Sequence, residues 1–191
     1  MKLVKMPTAL LHLGDDDLDG VGIDPRLLAN FRVHLSRAVE HQQGLLVLVS
    51  AEAGGHHLLM VLARRIGVTL RDANIHLRDA GGDIKAARQK FCYLTGSALV
   101  PALDAPDARR ALAAEAACFV QDLDEVWRPG ERRAGATDWG MLRSLLDERL
   151  AAGRPTFVQA APDQLPRELE ALLRRRLPVL ESADDLRGGE S

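Results

Sequence analysis

Apolar positions along this chain fall into two alternating rhythms. Leu27, Leu28, Phe31, Leu35, Ala38 and Val39 recur at helical spacing behind Asp24 and Pro25, which suit an N-cap and a first helical position, and Gly44 can end that helix. Leu45 to Val49 is a continuous apolar run, as expected of a central parallel strand buried on both faces. His57 to Ile66 is apolar nearly all round and predicts a helix with little solvent-facing surface. Further strands are predicted over Phe91 to Thr95, Ala117 to Gln121, Pro155 to Ala160 and Leu177 to Leu180. Between them come a short helical turn from Ser97 and helices over Asp107 to Ala116, Asp138 to Ala152 (ended by Gly153) and Asp163 to Arg176, with Pro166 near the start of the last.

Two stretches break the rhythm. Val68 to Lys90 reads as an insertion, with a turn at Gly81 and Gly82 and a short strand suggested by Ile75 and Leu77. Arg128 to Thr137, rich in Gly and Arg, predicts an exposed loop. Strands that alternate with helices predict an α/β three-layer sandwich around a mainly parallel, five-stranded sheet.

With 191 residues, 47% of them hydrophobic and 27% charged, the chain can bury one full core. We divide it into an N-terminal segment over 1–22, an α/β core over 23–182 and a flexible tail over 183–191. Asp15, Asp16, Asp17 and Asp19 make the first of these acidic, as in a solvated linker, and no Glu stands where a Ca²⁺ loop needs one. A formal net charge of −2 gives no global pull toward nucleic acid. No apolar run approaches the roughly 20 residues of a membrane span, and no signal core follows the N-terminus, so the expected location is cytoplasmic with no membrane partner. Cys92 and Cys118 lie in apolar strand-like segments, where buried thiols are expected rather than a disulfide or a metal pair.

Gly44 to Gly67, GLLVLVSAEAGGHHLLMVLARRIG, carries the chemistry. It has the strand, loop and helix of a phosphate-binding loop, G-x-x-x-x-G-K-[ST], in which backbone N–H groups surround the phosphates, the Lys reaches the outer ones and the hydroxyl holds Mg²⁺. Over Ser50 to His57 only the second glycine, Gly55, is kept. Ser50 replaces the first Gly, His56 the Lys and His57 the Ser/Thr. Gly54 and Gly55 opening a helix still offer N–H groups and a positive dipole end, and a protonated His56 could add charge, so ATP or ADP stays a candidate ligand. As metal ligands His56 and His57 would point about 100° apart on a helix with no third ligand nearby. We therefore expect no metal, and read the pair as helix-start filler.

The order of these elements resembles the AAA+ ATPases of the bacterial replication initiator and helicase loader branch, including the initiator-regulating homologue that works with the sliding clamp. The likeness covers roughly Pro25 to Leu180 and rests on GLLVLVSAEAGGHHLLMVLARR, KFCYLTGSALVPAL, ACFVQDLDEVW, LLDERLAAGRPTFVQAAPDQLP and LLRRRLP together. The resemblance implies a P-loop NTPase-like fold and, besides the phosphate loop, four elements around ATP. The Walker B strand would end at Gln121 and Asp122, with neutral Gln121 in place of the Mg²⁺-organising acid and Asp122 left to orient water. The γ-phosphate sensor would lie at Gln159, Ala160 and Ala161, with Ala161 the matching position. Arg174 to Arg176 would hold the arginine finger, with Arg176 before Leu177, although a solvated helix end explains three arginines equally well. The C-terminal lid is expected to be absent.

The implied function is that of a catalytically degenerate AAA+-like adaptor or regulator with a protein partner, in replication initiation, helicase loading or a mobile-element system. The alternative is an NTPase with a non-standard loop. A DNA contact would fall on Arg128, Arg132, Arg133 and the arginines near 175, with Trp127 and Trp139 flanking that loop. Ala9 to Leu13 resembles a clamp-binding peptide without its glutamine. Oligomeric state is left open.

Overall fold

The computed structural model describes residues 22–79, 90–127 and 136–182. The predicted turn at Gly81 and Gly82, the loop residues 128–135, the leucine-rich and acidic stretches before residue 22 and the tail after 182 lie outside them, as do the side chains of Trp127 and Trp139.

Helix α1 runs Pro25–His41, and Asp24 caps it as predicted: its Oδ1 accepts from the N–H groups of Arg26 at 2.6 Å and Leu27 at 3.2 Å. The helix stops before the predicted Gly44, because Gln42 takes the left-handed conformation (φ 51°) that closes it. Strand β1 follows at Leu45–Leu48, then α2 at Gly55–Asp79. Helix α2 corrects the sequence reading twice. It extends thirteen residues beyond Ile66, and no strand forms at Ile75 and Leu77. Leu59, Leu62, Ala63, Ile66 and the buried Leu70 keep helical spacing straight through Gly67, a residue that lowers helix propensity without ending a helix that has core to pack on.

Strand β2 is Phe91–Thr95, followed by α3 at Gly96–Asp104, a full helix where only a turn was predicted, and α4 at Pro106–Ala114. Strand β3 is Ala117–Gln121, as predicted, and a 3-10 helix covers Leu123–Trp127. Helix α5 is Ala136–Ala151, closed near Gly153 (φ 65°), and β4 is Thr156–Ala160. Helix α6 is Arg167–Arg176, shorter than predicted because Pro166 is its N-cap, and β5 is Val179–Glu181.

The five strands form one parallel sheet in the order β2-β3-β4-β1-β5. Alternate residues feed opposite layers, which is why the strands read as unbroken apolar runs. Leu45, Val47, Val49, Phe119 and Phe157 pack under α1 and α2, while Leu46, Leu48, Val120, Val158 and Ala160 face α3 to α6. Phe119 stacks on Phe157 with ring centroids 4.6 Å apart and on Tyr93 at 6.1 Å, filling the first layer with aromatic surface. Cys92 and Cys118 are register partners on β2 and β3, both free and buried, and the neighbouring Cys118 thiol, with burial adding to it, pushes the Cys92 thiol up.

Arg149, on α5, has no exposed surface. Its guanidinium donates to the carbonyls of Leu112 at 2.5 Å, Glu115 at 2.9 Å and Pro155 at 2.9 Å and to the Thr156 hydroxyl at 3.0 Å. Arg154 adds a bond to the Ala113 carbonyl at 2.6 Å. The end of α4, whose last carbonyls have no intrahelical donors, is thus closed by two arginines from elsewhere in the chain. Burial raises the Glu115 carboxyl above its ordinary value, with Lys90 and Arg149 pulling the other way.

Candidate functional site

Parallel sheets place their sites at the carboxyl ends of the strands, and the candidate residues here sit at the ends of β1, β3 and β4. After β1 the chain turns through Ser50 to Gly54 into α2. Gly54 has φ 94° and is buried, and a side-chain carbon on it would lie 2.6 Å from Ile23 Cγ1. On Gly55 such a carbon would lie 2.2 Å from the Val49 carbonyl oxygen, so both positions need glycine for space, and Gly54 for conformation as well.

The turn uses its N–H groups internally. Gly55 N–H donates to the Ser50 carbonyl at 2.9 Å, Gly54 N–H to that of Ala51 at 3.1 Å, and Ala53 N–H to the Ser50 hydroxyl at 3.3 Å. In a phosphate cradle such groups point at the anion.

His56, where the Lys would stand, is held across the site. Its Nε2 lies 2.5 Å from Asp122 Oδ1, with the two side chains 31% and 19% exposed, so the contact is neither open to bulk water nor fully desolvated. This corrects the filler reading of His56. His57 points elsewhere, its Nδ1 buried without a hydrogen-bond partner among the described residues.

From Asp122 a chain of hydrogen bonds runs in two directions. Gln121 Nε2 donates to Asp122 Oδ2 at 2.9 Å, and Gln121 Oε1 accepts from the Tyr93 hydroxyl at 2.6 Å. Burial, reinforced by the Asp122 charge, raises the Tyr93 phenol, which therefore stays the donor. On the other side, Asp122 N–H donates to Gln159 Oε1 at 2.8 Å, and Gln159 Nε2 donates to the Val49 carbonyl at 2.9 Å. Gln159, only 1% exposed, thus bolts the end of β1 to the end of β3, and Asp122 takes φ 51° at the junction.

At the β4 end the polar group present is Gln159. Ala161, the position matched to the sensor, contributes only its N–H, which donates to Asp124 Oδ1 at 2.9 Å. The sequence reading gave Gln159 no role of its own; the period-2 rule was the available signal, since it places Gln159 on the same side of β4 as the buried Phe157.

The three arginines closing α6 lie outside this network. Arg174 donates through Nε to Glu170 at 2.6 Å and also pairs with Glu181. Arg176 NH2 is 3.3 Å from Asp147 Oδ1 on α5, an ion pair without hydrogen-bond geometry, and Arg175 is exposed. Arg174 and Arg176 are therefore engaged within their own chain.

This donor set does not fit a Mg²⁺–triphosphate. The N–H groups of Ala53, Gly54 and Gly55 are taken, the residue in the Lys position is paired, and a neutral Gln121, hydrogen-bonded at both ends, stands where the hard cation needs charge. Among the described residues no three His, Cys, Asp or Glu side chains gather so as to hold a metal ion, and no helix is long and apolar enough to cross a membrane.

No protein-family model matches the chain, and no curated protein matches it. Its fold is nonetheless found among solved structures. The crystal structure of DnaI superimposes with a TM-score of 0.57 at 16% identity, over 92% of this chain and 93% of that one. DnaA from Aquifex aeolicus, bound to AMPPCP, gives 0.57 at 10% identity over 83% of this chain and 47% of that one. A replication initiator DnaA bound to AMPPCP and single-stranded DNA gives 0.55 at 9% identity, over 84% and 46%. The chain therefore spans about half the length of these DnaA proteins. The class is settled at the level of fold: an α/β P-loop NTPase-like domain with a five-stranded parallel sheet. Within that class it resembles the AAA+ domains of DnaA and DnaI, as the sequence motifs imply.

Proposed function

We propose that this protein is a catalytically degenerate AAA+-like domain that acts through protein contacts, as an adaptor or regulator in replication initiation or helicase loading. The observation that carries this reading is the His56–Asp122 contact at 2.5 Å. Two residues that would serve a nucleotide, one on the loop and one on the Walker B strand, instead satisfy each other. Phosphoryl transfer rests on positioning and charge stabilisation by the Lys, the Mg²⁺ ligands and the water-orienting acid. Here the Lys and the first acid are replaced, and Asp122 is held in the internal network.

Fold likeness to DnaI and DnaA supports replication initiation or helicase loading as the process. The absence of a membrane-spanning helix among the described residues is compatible with a cytoplasmic setting. Calorimetric titration with ATP and ADP, with and without Mg²⁺, tests the degenerate reading. No Mg²⁺-dependent binding and no phosphate release are expected. Micromolar binding with turnover, lost in Asp122→Asn, would replace it with the NTPase alternative.

A further inference from the structure

The large apolar side chains exposed among the described residues, Val33, Val68 and Ile75, all lie on α1 and α2. Val33 shares a helical ridge with Ser36 and Glu40, and Val68 and Ile75 are seven residues apart on α2, so both rows run along the same layer. Between the two helices is an open groove of about 400 Å³, lined among others by Arg32, Leu35, Val39, Arg65, Val68 and Thr69. This layer is also net positive, and Arg32, Arg65 and Glu40 are the charged residues lining the groove itself. Its two helices carry seven arginines against three acidic residues, in a chain whose formal net charge is −2. An apolar groove in a positive surround fits an apolar segment that carries negative charge.

The chain has such a segment directly before α1. Ala9, Leu10, Leu11, His12 and Leu13 are followed by Asp15, Asp16, Asp17 and Asp19, a stretch to which the proposed function gives no role. We propose that residues 9–19 dock in cis onto the α1–α2 groove, leucines in the groove and aspartates against the arginine-rich rim. The geometry allows it. The nine residues from Gly14 to Gly22 span up to about 30 Å when extended, and a 17-residue helix such as α1 is about 25 Å long. Leu10 to Leu13 can therefore reach any point along the groove. A cis contact also gains from the high effective concentration of a short tether, so it can form although the groove holds only a few side chains. The inference is independent of the nucleotide reading, because it uses none of the residues at the strand ends.

The test uses the full chain with spin labels at His12→Cys and Gln43→Cys, the native Cys92 and Cys118 being buried. One narrow, short distance is expected. It should broaden and lengthen when Asp15, Asp16, Asp17 and Asp19 are all changed to Lys and, separately, in Val68→Asp. Circular dichroism of each variant separates a lost contact from misfolding. A broad distribution in the unaltered chain would overturn the proposal, as would a distance that neither set of changes alters. A distance appearing only between chains, in a mixture of singly labelled proteins, would overturn it in favour of docking on a second copy.

Discussion

Arg149 shows how a single residue can hold two elements together without appearing in any motif. In sequence it is one more charge on an amphipathic helix, beside Glu148 and four residues before Gly153. In the fold its guanidinium is fully buried and replaces the missing donors at the end of α4 while tying that end to the start of β4. Nothing in the local pattern announces this, because two of the three carbonyls it serves, those of Leu112 and Glu115, lie more than thirty residues away. Arg149→Ala should cost about 3 kcal/mol or more, since it leaves several buried carbonyls unpaired, and chemical denaturation would measure the loss. A change within about 0.5 kcal/mol would mean that those carbonyls find other donors.

Glu115 lies at the same junction. Its carboxyl is raised chiefly by burial, so the folded state favours the neutral form. The associated stability is present below its ordinary value of 4.5 and is lost as pH rises through the raised value. Glu115→Gln stays neutral throughout and should therefore be more stable than the unaltered protein at pH 7 but not at pH 4, as melts at the two pH values would show. An equal effect at both would contradict burial as the cause.

The β1 turn and the start of α2 were the most legible elements in the sequence, and also the ones whose chemistry was least legible. Gly54 and Gly55 announce a tight turn into a helix, and both the strand before it and the glycines stand where expected. What the pattern could not give was the partner of His56, because Asp122 lies 66 residues further on. The same limit hid Gln159, which looks like one polar residue at a strand end until the sheet order places β4 between β1 and β3. The end of α2 was misjudged for a different reason. A helix with Gly67 and several arginines gives a weak period, and the packing of Ile66 and Leu70 on the layer beneath decides what local propensity leaves open. A double-mutant cycle on His56→Ala and Asp122→Ala tests the contact itself. The half-buried pair should show a coupling of about 1 kcal/mol, while strain common to both Asp122 backgrounds cancels. Strict additivity would mean that the two side chains do not support each other.

The whole molecule combines a preserved frame with an altered centre. Hydrophobic patterning carries the frame: five apolar runs separated by helices are enough to specify a parallel sheet with helices on both faces. A few side chains carry the centre, and changing them leaves the sheet intact, which is why structures at 9 to 16% identity still superimpose on this chain. In a P-loop protein that uses nucleotide, the ligand ties the loop to the Walker B strand. Here His56, Asp122, Gln121 and Gln159 connect the two from the protein's own groups, and in the function we propose this network stands in for the nucleotide. Calorimetric titration of ATP into the intact protein, with and without Mg²⁺, is the decisive measurement: no Mg²⁺-dependent heat of binding is expected, and saturable micromolar binding that requires Mg²⁺ would contradict the proposed function.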